Sequence, residues 1–133
     1  MGSRFGIRAG DRVAIVAAPR DSSLAPAELP DDVTVRDSAR GRNDVIVFYA
    51  ARRNELARRI GGFARSLDDD GQLWIAWPRR NSGVITDLTE REIRDIGAHA
   101  GLVDNKVSAI NDAWSGVRFV HPSSNGKGGH RAR

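Results

Sequence analysis

The segment Trp77–Asp87 concentrates side chains that could bind an anion, directly after an apolar run. It carries two guanidinium groups, an amide, a hydroxyl and a carboxylate, and Trp77 adds a ring that could stack on a ligand (Arg79, Arg80, Asn81, Ser82, Asp87). Guanidinium groups bind phosphate or carboxylate through paired hydrogen bonds. We therefore predict a ligand site made of Arg20, Trp77, Arg79, Arg80, Asn81, Ser82 and Asp87. The alternative is a solvated loop in which Thr86 and Asp87 organise the start of the next helix.

Other kinds of chemistry lack the residues that they need. The chain contains no cysteine, which excludes disulfides, thiol nucleophiles and thiolate metal sites. His99, His121 and His130 have no acidic or histidine neighbours at metal-ligand spacing. The serines stand outside a nucleophile-elbow sequence. We predict no catalytic residue, no metal and no cofactor.

The charge balance is basic. Net charge is +4 and the pI is about 10.6, with lysine only at Lys106 and Lys127. Such a balance favours acidic partners, although arginine-rich composition also follows from GC-rich codon usage. A cluster of arginines on a predicted helix is either a solvated face or a contact for nucleic acid or another acidic partner (Arg52, Arg53, Arg58, Arg59).

Length and composition predict a single domain. A chain of 133 residues, 40% apolar and 29% charged, has room for one core. We place the domain at residues 1–120 and predict that residues 121–133 form a disordered basic tail, because they are rich in Gly, Ser and charge. The start of the chain lacks the apolar stretch of a signal peptide, and no run reaches membrane-spanning length. We expect a cytoplasmic protein that does not associate with membranes.

Short apolar runs alternate with helical patterns, which predicts an α/β fold. The runs Arg12–Ala18 and Asp44–Tyr49 suit buried central strands, and Asp31–Asp37 suits an edge strand. Gln72–Trp77 should form another strand after a turn at Asp68–Gly71. Leu102–Ile110 and Val117–Val120 should form a hairpin across the turn-rich residues 111–116.

Two helices are predicted between these strands. In the first, about Arg52 to Leu67, apolar residues recur at helical spacing on one face, and Gly61 and Gly62 would allow close approach to the sheet. The second, Glu90 to Ala100, begins with a capping box of Thr89 and Glu92 and a hydrophobic staple of Leu88 and Ile93. Trp74 and Trp77, three apart on one strand, should point to opposite faces.

The order of these elements resembles the second half of class I S-adenosylmethionine-dependent methyltransferases. The resemblance runs from Asp44 to Val120 through Asp44-Val45-Ile46-Val47, Asp70-Gly71-Gln72-Leu73-Trp74-Ile75 and Gly101-Leu102-Val103. It implies a mostly parallel, Rossmann-like sheet with helices on its faces and a C-terminal antiparallel hairpin. The family has a glycine-rich turn after its first strand, where this chain has Ala17-Ala18-Pro19-Arg20. We therefore expect no stabilisation by S-adenosylmethionine.

A second resemblance covers Ile7 to Val120. The strings Trp77-Pro78-Arg79-Arg80-Asn81-Ser82-Gly83-Val84-Ile85-Thr86-Asp87-Leu88-Thr89-Glu90, Gly101-Leu102-Val103-Asp104-Asn105-Lys106-Val107 and Trp114-Ser115-Gly116 are similar to a family of small bacterial proteins known as a domain of unknown function. This resemblance implies membership of a family but does not indicate an activity.

Three functional hypotheses follow. The leading one is a non-catalytic, methyltransferase-like binding or regulatory domain that recognises an anionic small molecule or an acidic protein surface. The second is a divergent small methyltransferase, and the third is a weak nucleic-acid binder. The sequence leaves the oligomeric state, and whether the chain is an enzyme at all, open.

Overall fold

A computed structural model describes residues 5–19 and 30–122. The predicted site residue Arg20 and the predicted tail from residue 123 onward lie outside these ranges. In the described residues, six strands and two helices follow one another as β1 Arg12–Val16, β2 Thr34–Arg36, β3 Asn43–Tyr49, α1 Arg53–Ser66, β4 Leu67–Pro78, α2 Glu90–His99, β5 Val103–Ala109 and β6 Trp114–Val120.

The strands form one mixed sheet in the order β2-β1-β3-β4-β6-β5. The first four strands in this order are parallel, with Val13 beside Val35 on one side and Val45 on the other. Strand β6 runs antiparallel to both β4 and β5. The predicted α/β architecture, with a mostly parallel sheet, an edge strand β2 and a C-terminal antiparallel hairpin, is confirmed.

Both described helices pack on the same face of the sheet. Their buried side chains, Leu56, Ile60 and Phe63 of α1 and Ile93 of α2, join one core cluster with Ile46 and other residues of the inner strands. The opposite face has its own cluster, to which neither helix contributes: Phe5, Ile7, Val13, Val45, Val47, Tyr49, Trp74, Ala76, Ile110 and Trp114. In the described part of the chain, that face is covered by the N-terminal segment and the end of the β5–β6 hairpin.

The two tryptophans of β4 pack on opposite faces, as their spacing predicts. Trp74 is 1% exposed and meets Phe5 edge to face at 5.5 Å between ring centroids. Its indole N–H donates to the carbonyl of Phe5 (3.3 Å) and to Gln72 Oε1 (3.0 Å). Trp77 packs against the helix-side cluster. Strand β4 therefore contributes a large ring to each core.

Helix α1 passes directly into β4 without the separate turn expected at Asp68–Gly71. The strand begins at Leu67, which pairs with Asn43, while Gln72 pairs with Val45. The intervening residues bulge out, because more residues of β4 than of β3 lie between these two pairs. A Cβ on Gly71 would lie 2.8 Å from the carbonyl oxygen of Asp44. This position therefore needs glycine for close backbone approach.

Helix α2 begins as predicted, with one change. The Thr89 side chain accepts a hydrogen bond from the backbone N–H of Glu92 (3.2 Å), and Leu88 and Ile93 are both buried. The reciprocal half of the box does not form. Instead, Glu92 Oε2 lies 3.3 Å from Arg53 Nη1, and Glu92 Oε1 is buried without a hydrogen-bond partner. The side chain of Glu92 thus links the two helices.

The glycines that bring a helix close to the sheet are not the predicted ones. A Cβ on Gly97 of α2 would lie 2.2 Å from Phe119 Cε1, so α2 rests on β6 at this glycine. A Cβ on Gly61 or Gly62 would meet only the Arg65 side chain, at 3.5 and 3.8 Å. The prediction that this pair allows close approach to the sheet is wrong. Neither described helix is long and apolar enough to cross a membrane.

Candidate functional site

The predicted site loop follows β4 at the carboxyl edge of the parallel strands, where ligands bind in open α/β sheets. This β4–α2 loop (residues 79–89) lies beside the end of β3, because the backbone N–H of Asp87 donates to the carbonyl of Ala51 (3.3 Å). The end of β1 is not its neighbour, since β3 separates β1 from β4. The ends of β1, β3 and β4 follow one another along this edge, and a meeting of Arg20 with Arg79 and Arg80 stays a prediction, because Arg20 lies outside the described residues.

Two residues of the β4–α2 loop hold the start of helix α1. The carboxylate of Asp87 accepts from the backbone N–H of Arg53 (2.7 Å), and the N-cap residue Arg52 has no capping hydrogen bond of its own. The hydroxyl of Thr86 donates to Ala51 O (2.6 Å) and accepts from the N–H of Leu88 (3.0 Å). These contacts give Thr86 and Asp87 a structural role at the start of α1.

Some of the remaining polar loop residues form hydrogen bonds within the protein, and others do not. Arg79 donates from its guanidinium to Asn111 O (3.3 Å) and from its backbone to Ala113 O (2.8 Å). Ser82 Oγ accepts from the N–H of Val84 (3.1 Å). Arg80 and Asn81 are exposed. Among the polar side chains that the structure describes in this loop, Arg80 and Asn81 are the two without a hydrogen bond to the protein.

The turn after β1 adopts an unusual backbone conformation at Ala17. Its φ is +63°, in the left-handed region that a residue with a Cβ rarely adopts. The segment continues as Ala18 and Pro19, without a glycine. The described residues of this turn therefore do not fit the close backbone approach that a cofactor bound at this edge would need.

A second set of cations lines a groove on the helix side of the sheet. This arginine groove has a volume of about 340 Å³ and lies between residues 58–66 of α1 and the β2–β3 connection; Ser38, Arg40, Arg58, Arg59, Gly62 and Arg65 are among its lining residues. The volume lies at the small end of ligand pockets, roughly 300–1,000 Å³. The groove could hold a small molecule.

The β2–β3 connection presents Arg40 from an ordered turn. Asn43 is fully buried, and its side-chain amide donates to Ala39 O (2.9 Å) while its Oδ1 accepts from Arg36 Nη2 (3.0 Å). The N–H of Arg40 donates to Ser38 Oγ (3.2 Å). Because the residues on both sides of Arg40 are held by hydrogen bonds, its backbone position in the wall is defined.

The helical wall contains two arginines in distinct settings. The Arg59 guanidinium lies 5.0 Å from the Phe48 ring centroid and 5.1 Å from that of Phe63, so cation–π contacts position it. The Arg65 guanidinium folds back over the bare backbone of Gly61 and Gly62, as the 3.5 and 3.8 Å distances to ideal Cβ positions there show. The Arg65 side chain therefore lies along this turn of α1, beside the groove.

The arginines of the groove lack acidic partners among the described residues. Elsewhere arginines pair with carboxylates, in the ion pairs Arg12–Asp44, Arg42–Asp68, Arg53–Glu92 and Arg94–Asp104. No described carboxylate forms an ion pair with Arg40, Arg58, Arg59 or Arg65. The groove therefore carries uncompensated positive charge, which attracts anions. Neither Arg40 nor Arg65 was singled out from the sequence. The spacing of Arg58 and Arg65, seven residues apart on one helix face, is a signal that could have indicated the groove.

A larger cavity of about 490 Å³ lies at the opposite, amino edge of the sheet, with Asp11, Asp44, Asp68 and Gln72 among its lining residues. Two of its carboxylates, Asp44 and Asp68, form ion pairs with arginines. Arg12 binds both carboxylate oxygens of Asp44 (3.0 Å each) and also donates its backbone N–H (2.8 Å). The hydrogen bond from the Arg12 side chain lowers the pKa of the Asp44 carboxyl. The described residues contain no cluster of three potential metal ligands.

Comparisons with known proteins agree with this architecture. A family model described as "Protein of unknown function (DUF3052)" matches residues 25–123, against the expected span of Ile7 to Val120. No curated protein matches the chain.

Several solved structures share the fold. Magnesium protoporphyrin IX methyltransferase from Synechocystis PCC 6803, with bound SAM, superposes with a TM-score of 0.60 at 14% identity, over 85% of this chain and 71% of that chain. A SAM-dependent methyltransferase from Aquifex aeolicus gives 0.60 at 17% identity, over 86% and 84%. Methanococcus jannaschii fibrillarin, a pre-rRNA processing protein, gives 0.62 at 16% identity, over 86% and 67%. At these identities the likeness concerns the fold alone.

Proposed function

The chain belongs to the family described as "Protein of unknown function (DUF3052)", and we propose that it is a non-catalytic, methyltransferase-like domain that binds an anionic small molecule. The observation that carries this proposal is the arginine groove, where Arg40, Arg58 and Arg65 have no acidic partner among the described residues. Guanidinium groups left unpaired in a concave surface are suited to phosphate or carboxylate ligands. The proposal places the protein in the bacterial cytoplasm.

We propose the β4–α2 loop as a second surface for ligand contact. Only its side chains that form no hydrogen bond within the described protein would take part. Arg80 and Asn81 are exposed, whereas Arg79, Ser82 and Asp87 bond within the protein. Arg80 lies in the β4–α2 loop, whereas the arginine groove lies between α1 and the β2–β3 connection. An acidic protein that contacted both would have to extend across the helix side of the sheet. A small ligand in the groove needs no such reach, and we therefore favour it over an acidic protein partner.

A divergent methyltransferase is the alternative function, and the fold shared with solved methyltransferases supports it. Ala17 takes a left-handed conformation at the end of β1, so the turn bends tightly without a glycine. The side chains of Ala17 and Ala18 nevertheless occupy space at this turn, which argues against close approach of a cofactor. Calorimetry with S-adenosylmethionine decides the matter, since tight, saturable binding would favour the methyltransferase and displace the binding-domain proposal.

A thermal-shift screen tests the binding function. The panel contains inorganic phosphate, citrate, sugar phosphates, nucleotides and S-adenosylmethionine at constant ionic strength. A ligand that binds only the native state raises the melting temperature by mass action. We expect at least one anion to stabilise the parent and to lose that effect in the double variant Arg58→Gln, Arg65→Gln.

The control is Arg91→Gln, which removes an exposed positive charge from α2 at a residue that does not line the groove. It should respond to the ligand as the parent does. Equal stabilisation of the parent and the double variant would show that the groove is not the site. If the ligand instead fails to stabilise the double variant Arg80→Gln, Asn81→Ala, the binding site lies at the β4–α2 loop.

A further inference from the structure

We infer that the arginine groove takes a small molecule with two phosphate groups. The inference rests on the proposed function and specifies its ligand. Arg58 and Arg65 stand two helical turns apart on α1, a rise of about 10 Å along the axis at roughly 1.5 Å per residue. Gly62 lies between them in the wall of the groove. A ligand can therefore contact cations at both ends of an uninterrupted stretch of helix.

The Arg65 side chain lies against the same stretch of α1. Its guanidinium lies over Gly61 and Gly62, toward the amino-terminal end of α1 and hence toward Arg58. A side chain at either glycine would meet this guanidinium at ordinary contact distance (3.5 and 3.8 Å). Two consecutive glycines weaken the helix by about 1 kcal/mol each relative to alanine. Gly62 leaves the wall of the groove between Arg58 and Arg65 without a side chain.

The charge of the groove matches two phosphate groups better than one. Arg40, Arg58, Arg59 and Arg65 together carry four positive charges, and all four line the groove. A phosphate monoester carries about −1.5 to −2 at neutral pH and three acceptor oxygens. Two such groups balance the four guanidinium groups and leave none desolvated without a partner. The hydroxyls of Ser38 and Ser66, which also line the groove, can donate to the same oxygens.

The walls disfavour single-stranded nucleic acid. Nucleic-acid grooves combine cations with aromatic rings on which bases stack. The aromatic ring lining this groove belongs to Phe63, which is 3% exposed and faces the Arg59 guanidinium. A base has no exposed ring to stack on here. The small volume, about 340 Å³, also suits a compact ligand.

The test compares fructose 1,6-bisphosphate with fructose 6-phosphate by isothermal titration calorimetry on the full chain. We expect the bisphosphate to bind at least about tenfold more tightly, since each charge-assisted contact adds to the affinity. Arg58→Gln and Arg65→Gln, made singly, should each bring the bisphosphate down to the affinity of the monophosphate. Arg91→Gln is the charge-matched control and should leave both affinities unchanged. Circular dichroism establishes that each variant is folded.

The outcomes separate this inference from the proposed function. If the two sugars bind equally tightly and both lose affinity in the arginine variants, the groove binds single anions and the two-phosphate inference fails alone. If neither sugar binds and citrate or a nucleotide monophosphate does, the inference again fails alone. If no anion binds the parent, both fail. Tighter binding of a single-stranded oligonucleotide than of the bisphosphate would overturn the choice of a small ligand.

Discussion

The carboxylate of Asp87 accepts a hydrogen bond of 2.7 Å from the backbone N–H of Arg53. The two residues belong to consecutive crossover segments, and the contact joins the β4–α2 loop to the first turn of α1. The N-cap residue of α1, Arg52, forms no side-chain hydrogen bond to the first turn of the helix. Asp87, which the sequence suggested as a ligand contact, accepts a hydrogen bond from that turn instead. The same helix carries the arginine groove further along, from Arg58 to Ser66.

Loss of the Asp87 carboxylate should weaken the start of α1. We expect Asp87→Ala to lower the free energy of unfolding by about 1 kcal/mol, within the range of roughly 0.5–2 kcal/mol for lost caps. Asp87→Asn should retain most of the stability, because an amide oxygen accepts the same hydrogen bond. Urea denaturation measures the change. Asp69→Ala, at an exposed position of β4, is the control, and an equal loss there would refute the capping role.

Substitutions at Gly97 and Gly62 should have effects of opposite sign. The Cβ of Gly97→Ala would collide with the fully buried Phe119 ring at 2.2 Å, so we expect a loss of about 1–3 kcal/mol. Gly62→Ala adds a Cβ at ordinary contact distance, 3.8 Å from Arg65, and should gain about 0.5–1 kcal/mol from helix propensity. Chemical denaturation of the two variants compares them directly. Equal shifts would contradict the assigned packing.

The Asp44–Arg12 pair should make stability depend on pH. Hydrogen bonding to Arg12 lowers the pKa of the Asp44 carboxyl in the folded chain. A lowered folded pKa stabilises the fold above the unfolded value, about 3.9 for Asp, and the stabilisation is lost as the pH falls through the folded pKa.

Asp44→Asn should therefore melt at a lower temperature than the parent at pH 7, and the difference should shrink below about pH 4. Melting curves between pH 7 and pH 3 measure this. Asp69→Asn serves as the control. A difference between parent and Asp44→Asn that stays constant down to pH 3 would show that the ionised pair does not contribute.

Glycine should be tolerated at position 17 and not at position 18. Ala17 has a φ of +63°, and a residue with a Cβ pays about 1–2 kcal/mol for that region. Ala17→Gly removes this cost but adds unfolded-state entropy, so we expect a net gain of up to about 1 kcal/mol. Ala18→Gly adds only the entropy and should lower stability by about 0.5–1 kcal/mol. Thermal denaturation gives both signs, and destabilisation by Ala17→Gly would contradict the strained turn.

The sequence alone determined the elements whose signals are local. The apolar runs at Val13, Val45 and Leu73 predicted strands because a buried parallel strand needs consecutive apolar side chains. The start of α2 was predicted because a capping box joins atoms only three residues apart. The opposite orientation of Trp74 and Trp77 followed from the two-residue period of a strand.

Only the tertiary structure decided which elements are neighbours and which side chains stay unpaired. Strand order placed β3 between β1 and β4, so the β4–α2 loop lies beside the end of β3 and one strand away from the end of β1. Gly97, and not the Gly61–Gly62 pair, meets the sheet because packing brings Phe119 of a distant strand against α2. The arginine groove exists because Arg40 and α1, far apart in sequence, lie together without a described carboxylate between them. Such long-range pairings depend on how the whole chain buries its apolar surface, which no local spacing records.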